Sequence, residues 1–263
     1  MSGEVETSLE ISGSRKIQSF LDSARNDKAE QTTRTLFSNL TVHHDQSPHS
    51  AAMNMAVDES LLETTTAPTI RFYRWRFPAL SFGYFGKFSE VAIYAAERDI
   101  VRRWTGGGVV FHGDDLTYSM VVPASDPVFS ESSIAIYEEI HRALCRALAG
   151  ADQGAQLVTV AALNHRRPGD RRSLDNECFA NPVRADVMID GRKIAGAAQR
   201  RTRHALLQQG SIQGISMNID LTEKFAQALS ANWSEFDINE EVLQRAREIA
   251  QQKYGTESWL RKR

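Results

Sequence analysis

Asp190-Gly191 is the local feature that most narrows how this chain can fold. A two-residue Asp-Gly loop takes positive φ at both central positions and joins neighbouring antiparallel strands, because its twist matches theirs. The pair lies between ADVMI and RKIAG, and HALLQQGSIQGIS follows as a third strand-like run, so the chain from Ala185 onward reads as an antiparallel meander. Upstream, Ile70, Phe72 and Arg74 alternate with Arg71, Tyr73 and Trp75, the period of a half-buried strand. Leu80, Phe82 and Tyr84 repeat that period after Pro78, and residues 101–104 lead as a strand into Gly106-Gly107-Gly108. Residues 109–112 and 117–122 read as a further pair of strands joined by Gly113-Asp114-Asp115.

Helical periodicity lies at both ends of this strand-rich stretch. In AAMNMAVDESLLE, entered through Ser47-Pro48, Met53, Val57 and Leu61 form one buried stripe with Asp58 and Glu59 flanking it. Residues 134–149 make an amphipathic helix with Ile136, Tyr137, Ile140, Leu144, Ala147 and Leu148 on its apolar face and Gly150 as its stop. Near the end, Thr222 caps LTEKFAQALSA, and Asp237 with Glu240 forms a capping box before a helix that ends near Tyr254-Gly255. The expected fold is therefore α+β: mixed, largely antiparallel sheets with flanking helices, not an alternating βαβ chain.

Residues 1–35 are polar and read as an extension with a short helix on Ile17, Phe20, Leu21 and Ala24, and residues 36–263 as the domain proper. A net charge of −2 argues against a general nucleic-acid binder. Two cysteines, Cys145 and Cys178, supply no disulfide framework and no cysteine zinc site. No metal site is expected, and His43, His44 and His49 read as surface residues. The chain starts without a signal-like charged and apolar segment, and no apolar run approaches the roughly 18 residues of a membrane span. The expected compartment is the cytoplasm, with no membrane partner. HRRPGDRR reads as a loop; with RRTRH it is either a solvated surface or a docking surface for an acidic protein.

Three segments carry candidate chemistry. In RRWTGGGVVFHG, consecutive glycines suit either a flexible turn with surface arginines or a place where another chain or a ligand approaches the backbone, where Arg103 suits a phosphate or carboxylate. In ADVMIDGRKIAGAAQRR, Lys193 precedes the small residues Ala195, Gly196, Ala197 and Ala198. A lone strand lysine is more often solvated, but small neighbours leave room for a ligand whose developing negative charge an ammonium stabilises. In NECFANP, Cys178 lies fifteen residues before Lys193; it is either a small apolar filler, as most free cysteines are, or a thioester-forming nucleophile if a nearby cation lowers its pKa. Cys145, within an apolar helical pattern, reads as a small core filler.

RRWTGGGVVFHG followed by LTYS, then DVMIDGRKIAGAAQ, then LLQQGSI, resembles the lipoate-protein ligase and octanoyltransferase family, as do MNMAVDESLL and KYGTESW. The resemblance runs from about Leu36 onward in the family's order. It implies an α+β catalytic domain shared with biotin protein ligases. It implies an acyl-binding role for Arg103, Thr105, Gly106, Gly107, Gly108 and His112, and contact of Lys193 with the acyl carbonyl, with Asp186 and Gly196 nearby. The expected reaction is transfer of an octanoyl or lipoyl group onto a lysine of a lipoyl-carrier protein, such as glycine cleavage H protein or a 2-oxoacid dehydrogenase subunit. In one branch Cys178, in a Cys-Phe segment placed as in the cysteine-dependent octanoyltransferases, takes the acyl group from acyl carrier protein, and no cofactor is tightly bound. The length also favours this branch, being short for the ligases' extra domain. In the other branch, ATP and Mg2+ are co-substrates of a ligase that acts through lipoyl-adenylate. A non-catalytic acyl- or lipoyl-domain-binding homologue is a third reading. Two departures stand out: Gly113 where the family usually has Asp after the histidine, and Gln209 where it usually has His.

Overall fold

A computed structural model describes residues 35–149, 154–159, 183–215 and 219–262. The expected N-terminal helix, the HRRPGDRR loop, Gly150 and Cys178 lie outside the described residues. Residues from Leu36 to Arg263 form one compact unit. Its described part holds an eight-stranded sheet, ordered β11-β1-β2-β6-β10-β9-β8-β7 with β7 (Gln156–Leu157) at its edge, and a three-stranded sheet, ordered β4-β3-β5. The strands that build the site are β2 (Thr69–Tyr73), β3 (Ala79–Phe82), β4 (Asp99–Arg102), β5 (Val110–His112), β6 (Leu116–Pro123), β8 (Val187–Ile189), β9 (Arg192–Arg201) and β10 (Ala205–Ile212).

The α+β expectation holds, and so does the meander: β8, β9 and β10 pair antiparallel in sequence. Parallel pairing enters at β1 (Leu40–His44), which lies between β2 and β11 (Trp233–Glu235), and at β3 with β4. Residues 109–112 and 117–122 are indeed strands, but they do not pair with each other. β5 joins the small sheet beside β3, whereas β6 pairs with β2 and β10 at the centre of the large one.

Helix α1 (Ala51–Thr64) starts later than Pro48 suggested, because the Ser50 side chain is its N-cap and accepts from the Met53 amide. It is buried nearly all round, Asp58 and Glu59 included, since the sheet covers one side and α4 (Glu240–Ile249) the other. Covering both faces of β2 also removes its expected half-exposure: all five residues are buried. Helix α2 (Ser133–Ala149) buries the apolar face read from its periodicity against the opposite face of the large sheet, together with α3 (Ile219–Leu229). Helix α3 begins at Ile219, so Thr222 lies inside it rather than capping it. Asn239, not Asp237, caps α4 by accepting from the Val242 amide. Past Ile249 the helix widens into a π-turn over Ala250–Tyr254, ends at Gly255, and is followed by the short α5 (Glu257–Leu260). His43 is buried rather than superficial, held by the Phe236 carbonyl at 2.9 Å and Asp45 at 3.2 Å.

Candidate active site

The hairpin forms as its residues dictate. Asp190 and Gly191 both take positive φ, 48° and 76°. Two residues beyond the turn, pairing slips: Met188 faces Lys193, but Val187 faces Ala195, leaving Ile194 as an extra residue on β9. Such a bulge shifts side-chain alternation by one, bringing Lys193 round toward the face that carries Gly196 and Ala198. The Lys193 side chain is 1% exposed, and its Nζ lies 2.7 Å from Asp186 Oδ2. Gly196 lies beneath it: a Cβ there would sit 2.6 Å from Lys193 Nζ, so a larger residue would displace the ammonium.

Asp186 is the node of this wall. Oδ1 accepts from the Tyr137 hydroxyl at 2.6 Å and Oδ2 from the Val183 amide at 2.7 Å, while the Ala197 amide donates to the Tyr137 oxygen at 3.0 Å. Burial, reinforced by the Asp186 charge, pushes the Tyr137 phenol far up, so it stays a donor. Behind it, His141 Nδ1 lies 2.7 Å from the Ala185 carbonyl and Nε2 3.0 Å from the Tyr118 hydroxyl. Ala185 itself has a φ of 65°, a strained value for alanine that this bond helps to hold. Burial drops the His141 pKa to about 4, so the ring is neutral near pH 7.

The glycine loop forms the opposite wall. Gly83 on the far side of β3 has no Cβ, which lets the backbone of Gly106 and Gly107 pass directly over it, and Gly107 takes a φ of 87°. A Cβ on Gly107 would sit 3.3 Å from that of Ala198, so the loop meets β9 there. Gly106 has nothing within 4 Å of such a position, and no contact explains its glycine. Arg103 is buried; it donates to Ser81 Oγ at 2.6 Å and to the carbonyls of Gly106 and Gly108 at 3.1 and 2.8 Å, thereby shaping the loop it precedes. Its neighbour Arg102 points the other way and donates to the carbonyls of Tyr84, Gly86, Leu260 and Lys262, tying the end of α5 to the small sheet.

From Ser81 a hydrogen-bonded chain continues through His112 Nε2 at 2.6 Å, and from His112 Nδ1 to Asp115 Oδ2 at 2.8 Å. Asp115 also accepts from Thr117 at 3.0 Å, Ser211 at 2.7 Å and the Gly113 amide at 3.1 Å. The carboxylate answering His112 thus comes from position 115, and position 113 contributes its amide. Burial lowers the His112 pKa against the pull of Asp115.

Gln209 replaces an expected imidazole with a bridge. Its amide donates to Asp58 Oδ2 at 2.7 Å and its carbonyl accepts from Thr105 at 2.8 Å. Asp58 also receives Arg71 at 2.7 Å, Ser119 at 2.7 Å and Tyr73 at 3.0 Å. Between the walls lies an open cleft lined by Met55, Tyr73, Trp75, Ser81, Arg103, Gly107, Val110, His112, Gly196, Ala198 and Gln209, among others. An apolar lining with a few convergent polar groups is the usual form of a small-ligand site.

The structure therefore brings Arg103, Gly107, His112 and Gly196 to one cleft, with Lys193 and Asp186 packed on Gly196 and Thr105 behind Gln209. Cys178 lies outside the described residues. Reading the sequence missed Ser81, Asp115, Asp58 and Tyr137. Ser81 and Tyr137 each sit within an apolar pattern, and Asp58 and Asp115 gave the stronger signal, being acids beside buried-looking positions. Cys145 is partly buried, and burial pushes its thiol up to about 11, which fits a core filler.

The comparisons agree with this geometry. Residues 50–251 match the family model described as the lipoyl protein ligase A/B catalytic domain. Octanoyltransferase LipM of Oceanobacillus iheyensis is 37% identical over 185 residues, which are 67% of this chain and 64% of that protein. Octanoyltransferase LipM of Macrococcus caseolyticus is 36% identical over 191 residues, 69% of this chain and 66% of that one. The chain thus matches about two thirds of the length of these relatives. Among solved structures, lipoate-protein ligase A bound with ATP superposes with a TM-score of 0.66 at 21% identity, covering 85% of this chain and 98% of that one. A putative lipoate protein ligase from T. acidophilum, Ta0514, with bound lipoic acid gives 0.63 at 23% identity, with the same coverage. Both share its fold. The chain belongs to the lipoyl protein ligase A/B catalytic domain family.

Proposed function

We propose that this chain is a protein acyltransferase that moves an octanoyl or lipoyl group onto a lysine of a lipoyl-carrier domain. The observation that carries this reading is the buried Lys193–Asp186 pair, packed on Gly196 at the edge of an apolar cleft. An ammonium anchored there polarises an acyl carbonyl and stabilises its oxyanion, and the cleft holds the hydrocarbon. Relatives that are named octanoyltransferases favour a thioester route over ATP-dependent activation.

On that route the Cys178 thiolate attacks the thioester of an acyl carrier protein. The carbon–sulfur bond to the carrier breaks, and the carrier thiol leaves with a proton. The neutral target lysine then attacks the Cys178 thioester, an amide forms, the amine loses a proton, and the Cys178 thiolate is released. Lys193 donates to the carbonyl oxygen in both steps. Arg103, Thr105, Gly106, Gly107, Gly108 and His112 shape the wall that closes over the acyl chain. No tightly bound cofactor is needed, and such a reaction fits a cytoplasmic protein; among the described residues no helix is long and apolar enough to cross a membrane.

Incubation with octanoyl-carrier protein is expected to add one octanoyl mass to the peptide holding Cys178, followed by transfer to a lipoyl domain. Undiminished transfer by Cys178→Ala would reject the thioester route. Transfer that requires ATP and free lipoate would move the chain to the ligase branch.

A further inference from the structure

The basic run RRTRH does not form one surface. Strand alternation sends Arg201 to the α2 side of the sheet, where it donates to the Phe129 and Glu131 carbonyls at 2.7 Å. Arg200 goes to the cleft side, two residues beyond Ala198, which lines the cleft. Its guanidinium lies 4.9 Å from the Trp104 ring centre and 5.6 Å from that of Tyr84. Trp104 directly precedes Thr105 of the glycine loop, and the Tyr84 amide donates to the Thr105 carbonyl at 2.9 Å. This patch is therefore continuous with the loop wall.

Two further cations complete it. Lys262 Nζ is 5.0 Å from both the Tyr84 and Trp259 ring centres. Lys253 Nζ is 4.3 Å from Trp104 and 4.4 Å from Trp259, but Glu59 answers its charge at 2.6 Å. Among the described residues, Arg200 Nε is the one buried side-chain nitrogen or oxygen without a hydrogen-bond partner. A buried charged donor without an acceptor is costly unless a ligand supplies one. Phe85, 84% exposed, stands edge-on to Tyr84 at the patch's border.

We infer that Arg200 and Lys262, framed by Tyr84, Trp104 and Trp259, bind the phosphate of a phosphopantetheinyl thioester, the acyl donor. This rests on the transferase reading above and adds to it the place where the donor's arm is held. β9 sets the spacing. Lys193 Nζ packs on Gly196, and Arg200 lies four residues further along the strand, roughly 13 Å at about 3.3 Å per residue. A phosphopantetheine arm is longer than that span when fully extended, so it reaches with slack from a carbonyl carbon at Lys193 to a phosphate at Arg200. A guanidinium beside aromatic faces suits a phosphodiester, and the apolar rings suit the dimethyl end of the pantoyl group.

The test compares octanoyl-pantetheine, which lacks the phosphate, with octanoyl-coenzyme A and octanoyl-carrier protein, which share it. Wild type is expected to prefer both phosphorylated donors in KM, and Arg200→Gln to shrink that preference about tenfold, the loss of one charge-assisted contact. Arg200→Lys restores part of it, and Lys262→Gln repeats the loss more weakly. A gap between the coenzyme A and carrier donors in wild type identifies the source of the arm. Tryptophan fluorescence titrated with phosphopantetheine and with pantetheine reads the rim without turnover. A phosphate-dependent quench that Arg200→Gln abolishes supports the site even if no donor is turned over, in which case the transferase reading alone falls. Equal response to both ligands, an Arg200→Gln preference matching wild type, or tighter binding of adenosine monophosphate than of phosphopantetheine overturns the proposal.

Discussion

The two walls of the cleft hold their cations by different physics. On the hairpin wall, Lys193 is locked to a carboxylate, Asp186, with both side chains almost wholly removed from water. On the loop wall, Arg103 donates to a hydroxyl and two peptide carbonyls, and its nearest carboxylate in the chain of bonds, Asp115, acts through His112 and Ser81. The first arrangement fixes a charge at a point; the second spreads support over a loop. Breaking each should expose the difference. Asp186→Asn leaves a buried ammonium without its counter-charge, a loss of about 3–5 kcal/mol. In a chain of this size that lowers Tm by on the order of 10 °C. Ser81→Ala removes an uncharged hydroxyl that accepts from the Arg103 guanidinium, whose other bonds to the Gly106 and Gly108 carbonyls remain, and is expected to cost about 1–3 kcal/mol. Thermal unfolding of the two variants checks the ratio, and equal losses would show that the walls are not built differently.

The walls also differ in how readable they are. Asp190-Gly191, Lys193 and Gly196 fall within seven residues, so turn chemistry and a small-residue run announce most of the hairpin wall in one stretch. What stayed hidden there is Tyr137, whose hydroxyl reaches Asp186 from an otherwise apolar helix face. The loop wall joins Ser81, Arg103, His112–Asp115 and Gln209, with Asp58 behind, from three strands, two loops and a helix. No local period encodes such meetings. Asp58 and Glu59 read as flanking polar residues because a helix covered on two sides looks, in sequence, like one covered on a single side. The resemblance supplied Arg103 and His112 but not their partners, and Gln209 was legible only as a departure until its bridge from Thr105 to Asp58 was seen.

Acid separates the walls again. His141 supports the hairpin wall with a folded-state pKa of about 4, below its ordinary value near 6.5, because burial disfavours the charged ring. As pH falls, the unfolded chain binds that proton first. The contribution is therefore complete above pH 6.5 and lost as pH drops through about 4, roughly 3 kcal/mol in all. His112 on the loop wall shifts in the same direction, with the Asp115 hydrogen bond and charge opposing burial. Urea unfolding at pH 7, 5.5 and 4.5 is expected to show a slope that His141→Gln flattens more than His112→Gln does. The reverse order would place the acid-sensitive support in the loop.

The smallest effects lie within the loop itself, where neighbouring glycines are not equivalent. Gly107 sits at a φ of 87° with the Ala198 methyl 3.3 Å from where a Cβ would go. Gly107→Ala forces an L-residue into the left-handed region against that contact, a cost of roughly 1–2 kcal/mol. It also pushes the loop off β9, so KM for the acyl donor should rise. Gly106→Ala meets open space at an ordinary φ. There the gain from restricting the unfolded chain is about 0.4–1 kcal/mol, which leaves stability unchanged or slightly raised. If Gly106→Ala nevertheless weakens the acyl donor as much as Gly107→Ala, then the loop needs bare backbone for the ligand as well as for its own close packing. That outcome would restore the meaning first read into the triplet, in which the missing side chains make room for what binds.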